Sequence, residues 1–221
     1  MSTRGYAAFL FDMDGTLIDS IPSAVRAWTR WAGRHGVDVD ALMQAMHGIR
    51  AIETIRRFAP VGVDPDAEFE MLLQDEIDDV ADVVALPGAV AFTTALPADR
   101  WAIVTSAPRS LALVRLRAAG LPPPAVMVTA DDVERGKPAP DCFLLAAGHL
   151  GVEAADCLVF EDAPAGIAAA EAAGADAVLV TATHRHPIAT VWPTIEDYAA
   201  LSPQIDDGRL RMISHPTLAS G

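Results

Sequence analysis

Residues 6–16 have the sequence Tyr-Ala-Ala-Phe-Leu-Phe-Asp-Met-Asp-Gly-Thr, an apolar run that stops at two aspartates and a glycine. A short apolar run of this kind is typical of a strand that is buried in a parallel sheet. Asp12 and Asp14 would leave the strand on one side of the chain, because side chains two residues apart share a face in extended backbone. Such a pair suits a hard cation such as Mg2+, although Asp-x-Asp-Gly also occurs in calcium loops and ordinary turns.

Apolar runs of the same kind recur along the chain and alternate with helical patterns. The runs lie at residues 101–105, 125–129, 157–160 and 177–181, and the helical patterns at 108–119, 141–150 and 163–173, with Gly174 at the end of the last. Strand and helix in alternation predict a parallel sheet with helices on both faces. We therefore expect an α/β fold with a Rossmann-like parallel sheet core.

Residues 20–82 break this alternation, because their apolar residues recur at helical spacing and no strand-like run occurs. The pattern predicts three or four helices inserted after the first strand. Trp28 and Trp31 lie on one helical face and are interpreted as core residues of this insertion, with a platform for a bound sugar as the alternative. Ligands of open α/β sheets bind at the carboxyl ends of strands, so we interpret residues 19–85 as a cap over the site and 1–18 with 86–221 as the core. The cap would move on hinges near residues 18–20 and 82–87. A helical decoration without a role in substrate binding is the alternative.

The remainder of the chain gives weaker signals. Residues 195–201 suggest a short helix, and residues 205–213 a hairpin around Asp207 and Gly208. The last eight residues are expected to be mobile. His184, Arg185 and His186 are interpreted as a solvated loop, because adjacent residues rarely bind one metal ion.

Composition limits the possible functions. The 221 residues are 52% hydrophobic and 21% charged, and the net charge is -14. The apolar fraction allows a substantial core, while the negative charge argues against nucleic acid as a partner. Cys142 and Cys157 are predicted to be buried apolar residues, not a disulfide. No apolar run reaches the ~18 residues of a membrane span and no signal peptide is evident. We expect a cytoplasmic protein, monomeric or weakly dimeric.

Polar residues with possible chemical roles follow the later strands as well. The second run ends in Thr105 and is followed by Ser106, Lys137 precedes the helix at 141–150, and the fourth run is followed by Glu161 and Asp162. Each has an ordinary interpretation, as a helix N-cap or as a solvated lysine. Together they place hydroxyls, an ammonium and four carboxylates at one edge of a parallel sheet. This set predicts a site for a metal ion and a phosphate group, and the metal would let an acidic protein bind an anion.

These motifs resemble those of the haloacid dehalogenase-like superfamily. The resemblance covers residues 6–181 and rests on four stretches in the family's order: Asp12-Met-Asp-Gly-Thr16, Thr105-Ser106, Gly136-Lys137-Pro138 and Glu161-Asp162-Ala-Pro-Ala-Gly166. The position of the helical insertion is similar to that of the subgroup containing β-phosphoglucomutase and many sugar-phosphate phosphatases. The resemblance implies a Mg2+-dependent phosphatase that acts on small phosphorylated sugars or polyols.

The resemblance also implies roles for single residues. Asp12 would attack phosphorus and form an aspartyl-phosphate, and Asp14 would first protonate the leaving alcohol and then deprotonate water. Lys137 would neutralise charge on the nucleophile and the phosphoryl group. Thr105 or Ser106 would hold phosphate oxygens.

Metal binding and substrate selection are assigned in the same way. The metal shell would comprise Asp12, the backbone carbonyl of Asp14, and Asp162 with Glu161. His47 and Arg50 lie in the segment that resembles the substrate-reading loop of these relatives. Alternatively, His47 is a helix-end residue beside a capping Gly48, and Arg50 faces solvent.

Three departures indicate the branch of the family. Asp14 argues against dehalogenation, since the dehalogenases lack this aspartate. Ala24 replaces the histidine of the mutase, and Thr16 is typical of the phosphatases. Hydrolysis is therefore favoured over a phosphomutase. A non-catalytic phosphate-binding or signalling module is a third possibility, but it would need neither a cap nor both aspartates.

Overall fold

A computed structural model describes residues 4–184 and 186–215. Its first half contains β1 (Ala8–Phe11), β2 (Ile18–Asp19), α1 (Ile21–His35), α2 (Val39–Met46), α3 (Ala51–Phe58), α4 (Pro65–Asp78), β3 (Val84–Ala85), α5 (Ala89–Thr94), β4 (Trp101–Val104) and α6 (Arg109–Ala118). Its second half contains β5 (Val126–Val128), α7 (Asp141–His149), β6 (Cys157–Glu161), α8 (Pro164–Ala172), β7 (Asp176–Val180), β8 (Thr194–Ile195), β9 (Leu201–Asp206) and β10 (Arg209–Ser214), with short 3-10 turns at Ala130–Asp132 and Ala154–Asp156.

Six strands form the central sheet in the order β5-β4-β1-β6-β7-β8, and all of their pairings are parallel. The five apolar runs of the sequence become five of these strands, so the predicted α/β fold is confirmed. The chain proceeds from β1 to one side through β4 and β5, and to the other through β6 and β7. β1 therefore lies at the reversal of strand order, where open α/β sheets place their ligands.

The sheet is buried on both faces because its strands are apolar on both. Phe9 and Phe11 of β1 pack into one core cluster, and Ala8 and Leu10 into the other. Phe11 stacks on Phe160 of β6 with ring centroids 4.5 Å apart. Burying a side chain of this size stabilises a fold by about 1.5–3 kcal/mol. These contacts fix the ends of β1 and β6, from which the candidate site residues emerge.

Helices α1 to α4 form a separate layer, named here the helical insert, around their own apolar core. Trp31 is fully buried, and its ring lies edge-on to that of Trp28 with centroids 5.8 Å apart. Both tryptophans are thus core residues, as predicted. The short ribbon of β2 and β3, in which Ile18 pairs with Ala85, joins the insert to the sheet. The division into a cap at 19–85 and a core remains a prediction.

The segment after β7 differs from the prediction. Residues 195–201 are not helical: Ile195 belongs to β8, which pairs with β7, and Leu201 begins β9. Tyr198 explains the difference, because it is buried in the core and its amide donates to the carbonyl of Pro87. Tertiary burial here overrides helix propensity. The predicted hairpin is confirmed, with Asp207 and Gly208 between β9 and β10.

Other expectations concern the cysteines, the membrane and the chain end. Cys142 and Cys157 are both free and buried, as predicted. Among the described helices, none combines the length and the apolar character that crossing a membrane would require. Of the last eight residues, which were expected to be mobile, residues 216–221 lie outside the described part of the chain.

Candidate active site

Asp12 and Lys137 form the centre of the candidate site. Asp12 follows the last residue of β1, and its amide continues the sheet by donating to the carbonyl of Phe160 at 2.9 Å. The Lys137 ammonium lies 2.6 Å from Asp12 Oδ1 and 2.5 Å from Glu161 Oε1, and it also donates to the carbonyl of Val104 at 3.1 Å. Lys137 is only 1% exposed. It is therefore an internal counter-ion, not a solvated loop lysine.

Asp12, Glu161 and Asp162 form a buried acid cluster, with one carboxylate oxygen from each within 4.8 Å of the others. Burial raises the pKa of Asp12 to about 8, although Lys137 acts in the opposite direction. Burial and the neighbouring carboxylates of Glu161 and Asp12 likewise raise the pKa of Asp162. Several buried carboxylates with one ammonium suit a hard divalent cation, which favours oxygen ligands. The donor set therefore fits a divalent metal ion.

Glu161 is held in a fixed orientation. Its Oε2 accepts hydrogen bonds from the amides of Asp162 and Ala163 at 2.9 and 3.0 Å, while Oε1 accepts from Lys137. A Cβ on Gly166 would lie 1.7 Å from Glu161 Oε1, so only glycine fits there. Glu161 thus belongs to the acid cluster and also orients Lys137 and the turn that follows β6.

The turn after β1 brings Gly15 against Asp162. Gly15 has a φ of +83°, which strains any residue with a side chain, and a Cβ there would lie 2.2 Å from Asp162 Oδ2. The Asp-x-Asp-Gly sequence consequently places the ends of β1 and β6 in contact. The positive φ of Gly15 and its lack of a side chain allow this close approach.

Thr105 and Ser106 follow β4, beside Asp12 in the same cavity. Thr105 is buried, and its Oγ1 accepts a hydrogen bond from the amide of Ala107 at 3.0 Å. Ser106 Oγ donates to the carbonyl of Gly48 in the helical insert at 2.9 Å. The hydroxyl of Ser106 therefore links the insert to the sheet, while Thr105 is the hydroxyl nearer the sheet core.

The structure separates His47 from Arg50. His47 lines the cavity with Asp12, and burial, together with His184, lowers its pKa. Arg50 does not line the cavity: its guanidinium donates to the carbonyls of Val133 and Glu134 at 3.1 and 2.8 Å and pairs with Glu53. Arg50 is thus neither directed at the cavity nor free in solvent. It ties the helical insert to the loop before Lys137.

His184 also departs from the expectation of a solvated loop. Its Nε2 lies 2.8 Å from the carbonyl oxygen of Asp162, and the residue is half-buried. The loop folds back over the end of β6, which brings the ring to the edge of the acid cluster. Arg185 lies outside the described residues.

Asp14 has its own network, separate from the acid cluster. Its Oδ1 accepts hydrogen bonds from Ser20 Oγ at 2.6 Å and from Arg115 Nη1 at 3.1 Å. Arg115 Nη2 then donates to Glu76 Oε1 at 3.0 Å. Asp14 and Asp12, two residues apart, thus enter different environments. This separation suits different chemical roles for the two carboxyl groups.

Sequence reasoning did not identify Arg115 or Glu76 as site residues, although both line the cavity. A usable signal was present, because Arg115 lies four residues after Leu111 and Glu76 four after Leu72, on the buried faces of their helices. A charged residue on an apolar helix face is rarely buried without a partner. Each of the two residues could therefore have been predicted to need a buried partner of opposite charge.

Comparisons with known proteins identify the family to which the chain belongs. Residues 6–174 match the family model described as haloacid dehalogenase-like hydrolase. The chain is 45% identical to Hexitol phosphatase A of Escherichia coli (strain K12), over 79% of this chain and 82% of that protein. It is 33% identical to Glycerol-1-phosphate phosphohydrolase 2 of Saccharomyces cerevisiae, over 80% and 75% of the two chains. The crystal structure of a hydrolase from Pseudomonas syringae superposes with a TM-score of 0.73 at 28% identity, covering 81% of this chain and 87% of that one.

Proposed function

We propose that this chain, which belongs to the haloacid dehalogenase-like hydrolase family, is a Mg2+-dependent phosphatase of small phosphorylated polyols or sugars. The observation that carries the proposal is the buried contact between Asp12 and the Lys137 ammonium at 2.6 Å, beside Asp162 and at the carboxyl end of β1. A carboxylate held in this way beside a cation is suited to nucleophilic attack on a phosphate group. Asp14 supplies a second carboxyl group in the same cavity.

The reaction proceeds in two displacements on phosphorus. In the first, an oxygen of Asp12 attacks phosphorus, the bond from phosphorus to the ester oxygen breaks, and Asp14 gives its proton to the departing alcohol. In the second, Asp14 takes a proton from water, whose oxygen attacks the aspartyl-phosphate. The bond between phosphorus and Asp12 then breaks, which releases inorganic phosphate and restores both carboxyl groups.

Charge stabilisation falls to the residues around Asp12. We assign Asp12 and Asp162 as side-chain ligands of the metal, with the backbone carbonyl of Asp14, and Glu161 as the member of the acid cluster that holds Lys137. When bound, Mg2+ would favour the ionised carboxylates and offset the negative charge of the phosphoryl group. The Lys137 ammonium and the Thr105–Ser106 loop are placed to bind the phosphate oxygens.

The substrate class is inferred from the relatives and from the cavity wall. Two similar proteins are named as phosphatases of hexitol phosphate and of glycerol-1-phosphate, both polyol esters. The wall combines apolar surface from Trp28 and Met46 with polar groups from Ser20 and His47. Most of these residues come from the helical insert. We therefore propose that residues 19–85, which include the helical insert, form a cap that selects the alcohol part of the ester. His47 would contact this part of the substrate.

Hydrolysis is preferred to a phosphomutase reaction because of Ala24. The resemblance described above matches this residue to the histidine of the mutase, and in the structure it lines the cavity wall with Trp28. Its methyl group cannot exchange a proton with a bound sugar hydroxyl. A non-catalytic phosphate-binding module remains the alternative from another class, but the retention of both Asp12 and Asp14 disfavours it.

The proposal is tested by measuring release of inorganic phosphate from a panel of hexitol, glycerol and sugar phosphates, with Mg2+ and with a chelator. Asp12→Asn should lower the rate by at least about 10³-fold, because the nucleophile is lost. Asp40→Asn, a change at an exposed carboxylate of α2, should leave the rate unaltered. Isomerisation of a sugar phosphate without phosphate release would identify a mutase. Absence of turnover on the whole panel would favour the binding module.

Three further expectations from the sequence stay predictions. They are a cytoplasmic location, a monomeric or weakly dimeric state, and the lack of a nucleic-acid partner. The last follows from the net charge of -14, which opposes binding to a phosphodiester backbone.

A further inference from the structure

Arg115 is a buried charged residue that the mechanism above does not use. It lies on α6, on the sheet side of the cavity, and is 4% exposed. Its two terminal nitrogens contact two different acids, Asp14 at 3.1 Å and Glu76 at 3.0 Å. Asp14 follows β1, whereas Glu76 is on α4 of the helical insert. Arg115 therefore links Asp14, the residue proposed to transfer the proton, to the helical insert, which is proposed to form the cap.

The cost of burying this group suggests a role beyond packing. Arg115 and Glu76 are both nearly inaccessible to solvent, and burial raises the pKa of Glu76. Moving two charges out of water costs several kcal/mol per ion, so a pair of apolar residues often stabilises a fold equally well. Contact between α4 and α6 alone would not require this pair. Arginine offers a rigid planar fork that fixes the orientation of a carboxylate.

Both side-chain hydrogen bonds to the Asp14 carboxyl group end on the same oxygen. Ser20 Oγ and Arg115 Nη1 both donate to Oδ1, at 2.6 and 3.1 Å. Two donors on one oxygen restrict rotation of the carboxyl group and direct the exchangeable proton to Oδ2. General acid catalysis depends on such placement, because the acid must lie within hydrogen-bond reach of the leaving oxygen.

We propose that Arg115 is a positioning residue for Asp14: it holds Oδ1 so that Oδ2 exchanges the proton, and Glu76 keeps Arg115 in place only while the helical insert packs on the sheet. In the first displacement the Oδ2–H bond breaks and the alcohol O–H bond forms as the ester bond to phosphorus breaks. The proton is thus delivered when the cavity is closed. This inference rests on the proposed phosphatase function.

The test compares propyl, phenyl and p-nitrophenyl phosphate, three monoesters without free hydroxyl groups that Arg115 could bind. Their leaving groups become less basic in that order, so the need for a proton from Asp14 decreases. The value of kcat/KM covers the steps up to release of the alcohol, and later hydrolysis of the aspartyl-phosphate does not affect it. The variants are Arg115→Gln, the pair E76Q/R115Q, which leaves no buried charge unpaired, and the control Arg117→Gln at an exposed position of α6.

We expect the pair E76Q/R115Q to lose about 30-fold or more in kcat/KM on propyl phosphate, a part of the 10²–10⁴-fold that general acids contribute. On p-nitrophenyl phosphate it should lose less than about 3-fold. Arg115→Gln, where it folds, should show the same trend, and Arg117→Gln should match the unmodified protein. Equal losses on all three esters would overturn the inference and indicate structural support alone. If the unmodified protein with Mg2+ releases phosphate neither from these esters nor from the hexitol, glycerol and sugar phosphates of the first panel, the proposed function itself fails.

Discussion

Lys137 is the only lysine in the chain, and every other basic side chain apart from the histidines is an arginine. Its ammonium contacts Asp12 and Glu161, and the acid cluster surrounds it with negative charge. Burial alone would lower the pKa of Lys137, but Asp12 and Glu161 together raise it above the ordinary value. The ammonium therefore stays charged at neutral pH. At the residue scale, the site depends on this one fixed charge.

Replacing Lys137 by methionine should abolish phosphate release and also destabilise the fold. The change leaves Asp12 and Glu161 buried without their cation, and breaking a buried ion pair costs about 3–5 kcal/mol. Denaturant unfolding in the presence of a chelator would measure the loss. Arg135→Met is the matched control, because Arg135 is exposed and its ion pair with Asp141 lies at the surface. Equal stability of the two variants would contradict the role of Lys137 as an internal counter-ion.

The predictability of site residues from the sequence depended on where they lie. The predicted site residues follow apolar strands or precede a helix, where the sequence changes from apolar to polar. This change made it possible to identify Asp12, Thr105, Lys137 and Asp162. Arg115 lies inside α6, where its place on the apolar face indicates a buried charge but does not identify its partner, which depends on the packing of α4. Strand ends converge by topology, whereas a contact between two helices depends on their rotation and crossing angle. The sequence alone specifies neither.

At the scale of elements, the helical insert contacts the sheet through two loops. Gly48 accepts a hydrogen bond from Ser106, and Arg50 donates to the carbonyls of Val133 and Glu134. The helical pattern of residues 20–82 predicted the insert, but it could not show which residues hold it to the sheet. The hydrophobic periodicity describes the inner face of each helix. Contacts with the rest of the protein come from polar groups at the helix ends and from α4, where Leu73 and Ile77 pack against the main core and Glu76 pairs with Arg115.

Arg50→Ala should raise KM for polyol phosphates by about 10-fold with little change in kcat. The variant loses charged hydrogen bonds to two carbonyls, each worth about 1.5–3 kcal/mol at most, so the closed arrangement becomes less populated. An apparent affinity falls in proportion to the fraction of molecules that can bind. Steady-state kinetics would measure the effect, with Arg56→Ala on the exposed side of α3 as control. An unchanged KM would show that this contact does not govern access to the cavity.

The segment after β7 shows the limit of element prediction. Residues 195–201 contain Glu196, Ala199 and Ala200, which favour a helix, yet Tyr198 is drawn into the core beside Phe92 and Phe160. β8 pairs with β7 over only two residues, Thr194 and Ile195. A strand that short leaves no periodic signal. Local pattern fails here because packing against the distant residues around Phe160 decides the conformation.

At the scale of the whole molecule, the charge of -14 and the acid cluster act in the same direction. An acidic protein raises the cost of ionising a buried carboxylate further, and the cluster concentrates several such groups in one place. Net negative charge also disfavours binding of a phosphate ester. A bound divalent cation would lower the cost of ionising the buried carboxylates and would also attract the phosphate ester. The stability of the whole fold should therefore depend jointly on pH and on metal.

The metal-free protein should become less stable as the pH rises from about 4 to 8, because the pKa of Asp12 is about 8 in the folded chain against 3.8 in the unfolded one. In this range the folded state binds more protons than the unfolded state, so the free energy of unfolding falls with pH. The raised pKa of Asp162 acts in the same sense. Thermal unfolding at pH 5 and pH 8, with chelator and with Mg2+, would measure the effect. Mg2+ should stabilise the protein more at pH 8, since it binds the ionised carboxylates.

Asp12→Asn separates this effect from the titration of other groups. Asparagine carries no charge at any pH, so the metal-free variant should unfold at a temperature about 5 °C above that of the unmodified protein at pH 8. The difference should shrink at pH 5, where Asp12 is already protonated in the folded state. Mg2+ should stabilise the variant less, because one ligand of the acid cluster is lost. The same pH dependence of the unfolding temperature in the variant and in the unmodified protein, without metal, would show that burial of Asp12 does not destabilise the fold. Stabilisation by a cation would then have to come from the other carboxylates of the cluster.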